Sequence, residues 1–236
     1  MKEILIFSHN FIAHNWYYIV HEQLELLHKR ELYQNASKIY YCYYAEEEIE
    51  AFKFFSLVKK FDKDKKITIV NHAINDCERQ TLWFMQEICK NHSDAYLLYY
   101  HTKGVTSKFR NGELSQKNVE SWRKAMEYFN IEKWRDCIER FEMTPIDICG
   151  IFYGHWISSV CDAWYYAGNF WWTKSSYFNK LPSMKDRDNW MGCETLITSL
   201  PHVWHNFYEH DVPCASLYEV YYDPSRYRDD KILKIK

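Results

Sequence analysis

The segment formed by His101, Thr102, Lys103 and Gly104 has the residue types of a phosphate-binding loop. It directly follows the apolar run 95–100, so its side chains would lie just beyond the end of a buried strand. Lysine supplies a mobile positive charge, glycine lets the backbone approach a ligand, and histidine and threonine add hydrogen-bond donors. An ordinary turn with a solvated lysine explains the same four residues equally well, so both interpretations stay open.

A second segment, Tyr165–Tyr177, could contact a sugar. Gly168 and Asn169 open a predicted strand, where glycine permits a close ligand approach and asparagine can both donate to and accept from a hydroxyl. Trp171 and Trp172 point to opposite faces of that strand, so at most one of the two rings can line a cleft while the other packs. Core packing of the whole segment is the simpler alternative.

A third segment, Met184–Ile197, contains Arg187, Asp188 and Glu194. Either carboxylate could act as a general base toward a hydroxyl nucleophile. Charged residues in a loop are more often simply solvated, so the choice between catalysis and solvation stays open for each acid.

Histidines near the C-terminal end give a weak metal signal. His202 and His205 have HxxH spacing, and His210 follows them. Such a set can bind a transition metal, but the pattern is much less specific than HExxH. The weak candidate ligands are His205 and His210, together with His101 and Asp188. Structural or surface histidines are the simpler interpretation.

The elements that would position these residues alternate regularly through the first hundred residues. Four apolar runs predict strands, at 4–7, 39–44, 67–70 and 95–100, and stripes with helical spacing separate them. Such an alternation predicts an open α/β sheet of parallel strands, which binds ligands beyond the carboxyl ends of its strands. Three strands end at a histidine, namely His9, His72 and His101. We therefore expect His9 to join the phosphate-binding residues.

The alternation stops after residue 107. Two apolar stripes predict helices joined near Asn130, and further strands are predicted at 147–153 and at 168–172, the latter mixed or antiparallel. We expect a single α/β domain, 1–236, with a parallel half at 1–107 and a less regular half at 108–236.

Composition argues against several classes of protein. The chain has 30 Lys and Arg against 32 Asp and Glu and only short runs of like charge, which disfavours nucleic acid as the main partner. No apolar stretch reaches the length of a signal peptide or a membrane span, which predicts a cytoplasmic protein without a transmembrane segment. Exposed aromatic residues leave a peripheral membrane contact open. The eight cysteines form no CxxC pair and are expected to be reduced core thiols.

Several segments together resemble a known family. In chain order they read YYHTKG, SWRKAMEYFNIEKWRDCIERF, DICG and AGNFWWTKSSYFNKLP. They resemble mostly uncharacterised microbial and viral glycosyltransferases with the GT-A fold, and the HTK element is similar to that of rhamnan synthesis F type proteins. The resemblance extends from the first strand to about residue 197. It implies a GT-A-like open mixed sheet and a cytoplasmic transferase of surface polysaccharide or glycan synthesis.

The resemblance also implies substrates and roles. The donor would be a UDP-, GDP- or dTDP-sugar, and the hexosyl or deoxyhexosyl group would pass to a hydroxyl of a glycan or glycolipid, with inversion preferred. The HTKG segment would contact the donor phosphates, and the GNFWW segment with Arg187 would contact the sugar or acceptor. The resemblance favours Asp188 over Glu194 as the general base but leaves the choice between them open.

One departure from the GT-A pattern concerns metal. Many GT-A enzymes hold Mg²⁺ or Mn²⁺ with an Asp-x-Asp motif at the position that His101, Thr102 and Lys103 occupy here. Lysine and histidine donors could neutralise a leaving diphosphate instead. The hypothesis is a metal-independent or weakly metal-dependent enzyme, and a divalent ion stays an open alternative.

Two other functions were weighed against glycosyl transfer. A catalytically inactive GT-A-like carbohydrate-binding or scaffold module would keep the fold and would respond to sugars rather than to nucleotides. A methyltransferase-like enzyme is disfavoured, because no glycine-rich loop follows the first strand.

Overall fold

The first half of the chain forms the parallel part of a sheet. The computed structural model describes residues 2–158, 161–186, 190–208 and 217–228. Its first elements are β1 (Glu3–Ile12), α1 (Trp16–Lys29), α2 (Leu32–Asn35), β2 (Lys38–Ala45), α3 (Glu48–Phe61), β3 (Ile67–Asn71), α4 (Arg79–Cys89) and β4 (Ala95–His101). β1 pairs in parallel with β2 and β4, and β3 pairs in parallel with β2. The predicted alternation of parallel strands and helices is confirmed.

The second half extends the same sheet. Its elements are α5 (Ser107–Glu127), a π-helical turn (Tyr128–Glu132), α6 (Trp134–Met143), β5 (Ile148–Gly150), β6 (Tyr153–Ser158), β7 (Cys161–Tyr166), β8 (Trp171–Lys174), α7 (Ser175–Phe178), α8 (Trp190–Glu194) and β9 (Trp204–Asn206). Short 3₁₀ turns lie at Met184–Asp186, Leu196–Thr198 and Pro224–Arg226. The strand order is β3-β2-β1-β4-β8-β5-β9, with β8 antiparallel to β4 and β5. This is the GT-A-like open mixed sheet that was expected.

The strand predicted at 147–153 is divided in two, so that part of the prediction is wrong. β5 ends at Gly150, and Phe152 has a φ of 59°, a left-handed conformation that turns the chain. The chain then forms a hairpin in which β6 and β7 pair with each other outside the main sheet. Gly150, at the end of β5, was the only sequence signal of this turn, and the apolar residues Ile151, Phe152 and Tyr153 that follow it read as a continuation of the strand.

Both faces of the sheet are buried. In β4, Tyr96, Leu98 and Tyr100 pack on one face, while Leu97 and Tyr99 pack on the other. α1, α3, α5 and α6 cover the first face, and α4, α7 and α8 cover the second. This explains why β4 has no polar alternation before its end at His101. Within the described ranges, no helix has the length and apolar character needed to cross a membrane.

Candidate active site

Glu78 is a buried carboxyl group at the carboxyl edge of the parallel strands. It lies directly before α4, and its Oε2 accepts hydrogen bonds from the Tyr99 hydroxyl and from Asn169 Nδ2, each 2.6 Å long. Burial raises the pKa of Glu78, and these two hydrogen bonds and the charge of Lys103 offset only part of that effect. Strand β4, helix α4 and the loop before β8 therefore all position one carboxyl group.

Glu194 is a second carboxyl group in the same environment. It is the last residue of α8, and burial raises its pKa to about 7, with Lys103 lowering the pKa and Glu78 raising it. At neutral pH this carboxyl is divided between its protonated and ionised forms. A group with that property can accept or release a proton during a reaction.

Lys103 is the cation that faces both acids. Burial lowers its pKa, but Tyr218, Glu194 and Glu78 outweigh burial, so the pKa lies above its usual value and the side chain stays charged. Its Nζ lies 4.2 Å from the centroid of the Trp122 ring and 3.4 Å from the Tyr218 hydroxyl oxygen. We call Glu78, Lys103 and Glu194 the acid–lysine cluster.

Gly104 turns the chain immediately after this lysine. Its φ of 90° lies in the left-handed region that glycine adopts without strain. The turn also contains backbone hydrogen bonds from Lys103 N to His101 O and from Val105 N to Thr102 O. The glycine of the HTKG segment is therefore needed for chain direction, and this is compatible with either interpretation of the segment.

His101 is neutral, which corrects the expectation that it would help to neutralise a phosphate. Burial, together with the positive charge of Lys103, lowers its pKa to about 3. Its Nε2 donates a 2.8 Å hydrogen bond to the Gly168 carbonyl oxygen, so its proton already has a partner. His101 holds the loop before β8 in place, and Lys103 alone in this segment supplies positive charge.

His9 and Thr102, which were predicted to contact donor phosphates, are buried and hydrogen-bonded inside the protein. His9 Nδ1 and His72 Nε2 both bond the Thr81 hydroxyl, at 2.8 and 2.9 Å, and burial lowers the pKa of His9 to about 3. The Thr102 hydroxyl accepts a hydrogen bond from the Phe11 backbone N–H. These side chains join β1, β3, α4 and the HTKG loop.

The segment 168–172, where sugar contacts were predicted, has its side chains inside the protein. Asn169, Trp171 and Trp172 are fully buried. Asn169 Oδ1 accepts from Trp171 Nε1, and Trp172 Nε1 donates to the Asn130 carbonyl oxygen. Asn169 nevertheless has a role at the site, since its amide donates to Glu78. It positions a carboxyl group and does not face a sugar.

Gly168 fits where no side chain could. A Cβ there would lie 2.5 Å from Met126 Sδ and 2.9 Å from Trp122 Cζ2, and its φ is 89°. The helix that supplies these two residues also supplies Arg123, which pairs with Glu127 at 2.6 Å. The segments on which the family resemblance rests therefore contact one another.

Glu127 connects this helix back to the HTKG loop. Gln23 Nε2 donates both to Glu127 Oε1, at 2.9 Å, and to the His101 carbonyl oxygen, at 3.2 Å. Arg123 also pairs with Glu22 of α1 at 2.9 Å. A buried polar network thus fixes the end of β4 relative to α1 and α5.

The described residues do not fit a divalent metal. No group of three or more His, Cys, Asp or Glu side chains with suitable placement exists among the described residues. His205 lies on β9, three strands from His101 on β4, and burial lowers its pKa to about 4. Neighbouring strands are about 4.8 Å apart, so three strand spacings separate these two histidines by more than one ion can bridge.

Three predicted residues, Arg187, Asp188 and His210, lie outside the described residues. Glu78 was not predicted, although it is as central as Glu194. Glu78 occupies the N-cap position of α4, and its side chain makes no capping hydrogen bond there. Its position as an acid at the start of a helix was the only sequence feature that could have marked Glu78 as a site residue.

A cavity of about 710 Å³ opens on the other side of the lysine, between α1 and α5. Lys103 and Gly104 line it together with Tyr18, Arg123 and Lys124, whereas Glu78 and Glu194 do not. Its volume is in the range of small-molecule sites. Lys103 therefore lines this cavity and also interacts electrostatically with the two acids.

The strand order and the acid–lysine cluster define an α/β protein with a GT-A-like mixed sheet and ionisable residues at the carboxyl edge of its parallel strands. Residues 5–209 match the family model described as a domain of unknown function (DUF8361), and the chain belongs to that family. A comparison with curated proteins gave no match. Among solved structures, a 4-diphosphocytidyl-2C-methyl-D-erythritol synthase matches with a TM-score of 0.45 and 8% identity, over 87% of this chain and 89% of that one. A likeness at this level does not bear on function.

Proposed function

We propose that the protein transfers a sugar from a nucleotide-diphosphate sugar to a hydroxyl of a glycan or glycolipid, in the synthesis of a surface polysaccharide or another glycan. The observation that carries this proposal is that a charged lysine, Lys103, and a carboxyl group with a raised pKa, Glu194, influence each other electrostatically at the carboxyl edge of the sheet. Sugar transfer needs a cation for the leaving diphosphate and a base for the acceptor hydroxyl. These two residues have those properties.

The proposed reaction is a single displacement. The acceptor oxygen bonds to the anomeric carbon while the bond from that carbon to the phosphate oxygen breaks, and the nucleoside diphosphate leaves with the electron pair. Lys103 stabilises the negative charge on the leaving group, and Glu194 takes the proton of the acceptor hydroxyl. Because the base stands behind the attacking oxygen, the anomeric centre is inverted. Burial is the main cause of the raised pKa of Glu194, and Glu78 raises that pKa further than burial alone would.

The donor nucleotide is placed in the cavity beside Lys103, within the half of the chain at 1–107 and the facing part of α5. Tyr18 is 77% exposed at this cavity and offers a ring on which a base could stack. Glu22 and Glu120 also line it, but they pair with Arg123 and Lys124, so they do not oppose an anionic ligand with free charge. UDP, GDP and dTDP stay equal alternatives for the nucleotide.

Thermal stabilisation by nucleotides tests the donor site. UDP, GDP, dTDP and their sugar conjugates are added with and without Mn²⁺ to the wild type, Lys103→Ala, Lys103→Arg and Lys90→Ala. A ligand at a hundredfold excess over its Kd stabilises the folded state by ~2.7 kcal/mol. We expect one nucleotide to raise the Tm of the wild type and of Lys90→Ala, which alters an exposed lysine of α4. Lys103→Ala should lose this response and Lys103→Arg should keep part of it.

Turnover then distinguishes a transferase from an inactive binding module. The wild type should release nucleoside diphosphate from the matching sugar donor, while Glu194→Gln should bind the donor and release at least about a hundredfold less. If no nucleotide raises the Tm, the donor-site assignment is wrong. A response to sugars alone would instead favour the carbohydrate-binding module.

A further inference from the structure

We propose that Tyr218 is a second anion-binding residue of the candidate site, and that its hydroxyl donates a hydrogen bond to the phosphate group that Lys103 binds. Tyr218 is 115 positions from Lys103 and follows the segments on which the family resemblance rests. The identity of the anion as the diphosphate of the sugar donor rests on the proposed function. The binding of an anion can be measured with inorganic pyrophosphate alone.

The hydrogen bond between Lys103 and Tyr218 can run in only one direction. Lys103 Nζ lies 3.4 Å from the hydroxyl oxygen, and an ammonium group can only donate, so the tyrosine oxygen accepts. The proton of this hydroxyl therefore points away from Nζ and remains for another acceptor. Because Tyr218 is 43% exposed, a ligand can reach this proton.

Contacts with α5 hold Tyr218 in place. Its carbonyl oxygen accepts a 3.1 Å hydrogen bond from Asn118 Nδ2, and the Ser121 hydroxyl accepts one of 2.8 Å from the Tyr222 backbone N–H. The Tyr218 ring packs edge-on against Trp122, with centroids 5.3 Å apart and planes at 85°. A side chain anchored in this way loses little conformational entropy when a ligand binds.

Two aromatic rings surround part of the Lys103 ammonium group. Its Nζ lies 4.2 Å from the centroid of the Trp122 ring and 5.4 Å from that of the Tyr218 ring. In the part of the chain that the structure describes, its hydrogen-bond partner is the Tyr218 hydroxyl, while Glu194 and Glu78 act on it through charge alone. An anionic ligand can therefore bind Lys103 without first displacing a carboxylate of these two residues.

The two donors lie close enough to bind one phosphate group. Nζ and the hydroxyl oxygen are 3.4 Å apart, so one phosphate oxygen can lie about 2.8 Å from both atoms. The bond from Lys103 also polarises the Tyr218 hydroxyl and strengthens it as a donor. Lys103 lines the cavity proposed for the nucleotide and Tyr218 does not, so this phosphate would lie where the cavity meets the Tyr218 side chain. Negative charge that develops on the leaving diphosphate would then meet two donors.

Calorimetric titration with pyrophosphate, without nucleotide, tests this proposal. Tyr218→Phe keeps the ring, and with it the packing on Trp122, and removes only the hydroxyl. We expect pyrophosphate to bind the wild type and Tyr218→Phe to weaken that affinity by about tenfold, because a hydrogen bond to a charged group is stronger than one between neutral groups. Lys103→Ala should remove the binding. The matched control is Tyr221→Phe, which removes the hydroxyl of an exposed tyrosine in the same segment, and it should change the affinity less than about twofold.

The outcomes separate this proposal from the proposed function. Both tyrosine variants should keep the urea midpoint of the wild type, so that a difference in affinity reports the hydroxyl itself. Equal pyrophosphate affinity in the wild type and Tyr218→Phe, an equal loss in Tyr221→Phe, or no binding to the wild type overturns the proposal, even if nucleotides raise the Tm. A loss confined to Tyr218→Phe and Lys103→Ala, without release of nucleoside diphosphate from any sugar donor, would support the anion site and contradict the proposed function.

Discussion

Lys103 sets the charge balance of the candidate site at the scale of single residues. It is the only cation of the HTKG segment, because burial keeps His101 neutral, and it faces two carboxyl groups whose pKa values burial raises. The charge of Lys103 lowers the pKa of both carboxyl groups, so it favours their ionised forms and opposes the effect of burial. A diphosphate that takes Lys103 as its partner would further raise the pKa of Glu194 and increase its proton affinity.

The pKa of Glu194 predicts how sugar transfer depends on pH. A base must be ionised, so kcat/KM should fall as pH drops through about 7, the pKa that burial gives this carboxyl. The profile is measured with the donor that stabilises the wild type. Glu113→Gln, which alters an exposed acid of α5, should keep the profile. A profile flat down to about pH 5 would exclude Glu194 as the base.

The same pKa predicts an effect on stability with a definite sign. The folded pKa of about 7 lies above the ordinary value of 4.5, so between these values the folded state binds more protons than the unfolded state. The contribution of Glu194 to the free energy of unfolding therefore falls as pH rises through this window. Glu194→Gln should stabilise the protein more at about pH 8 than at about pH 5, as measured by urea unfolding. An equal effect at both pH values would contradict the raised pKa.

At the scale of elements, contact between α5 and the loop before β8 fixes the site. Trp122 carries Lys103 over its ring and also packs with Met126 against Gly168, whose carbonyl oxygen binds His101. This arrangement explains why HTKG, the tryptophan and methionine of α5, and GNFWW occur together. They are one packing unit, and the resemblance to GT-A glycosyltransferases rests on a structural unit more than on ligand contacts.

Substitution of Gly168 should destabilise the protein more than substitution of an equivalent glycine in open space. Gly112 has a similar φ of 81°, but an added Cβ there meets nothing within 4 Å. Gly112→Ala should therefore cost only the left-handed strain, about 1–2 kcal/mol. Gly168→Ala should cost about 1–3 kcal/mol more, because its Cβ would overlap Met126 and Trp122. Urea unfolding measures both, and Met126→Ala combined with Gly168→Ala should cost less than the sum of the single changes. Equal costs for the two glycines would contradict the tight packing.

The sequence predicted elements well where local pattern decides them. The four strands up to β4 and the junction near Asn130 are confirmed, and the π-helical turn lies at that junction. In α3 the helical spacing of Ile49, Phe52, Phe55 and Val58 predicts the buried stripe, but only Val58 of these is buried, together with Phe54 and Leu57. Both stripes have helical spacing, so only the packing of the helix on the sheet chooses between them.

The candidate site was less predictable because long-range burial decides it. Lys103, Gly104 and Glu194 were among the predicted residues, but the sequence could not show which side chains of the site would be charged, because burial in the folded protein decides this. Glu78 is 91 positions from the Asn169 that holds it, so no local pattern connects them. The asparagine and tryptophans of GNFWW were expected to contact a ligand. In the structure their N–H groups and the amide oxygen form hydrogen bonds with buried groups of the protein.

At the scale of the whole molecule, the two halves of the chain share their cores and should unfold together. Antiparallel β8 pairs with β4, and Trp171 stacks on Tyr99 at 5.0 Å. Circular dichroism and tryptophan fluorescence should therefore report one coincident urea transition. A fragment of residues 1–107 should lack a cooperative transition and should aggregate, because its β4 edge and both apolar faces lose their cover. Two separate transitions, or a cooperatively folded 1–107 fragment, would show that the donor half is an independent unit, and the acid–lysine cluster would then lie across a boundary that can open.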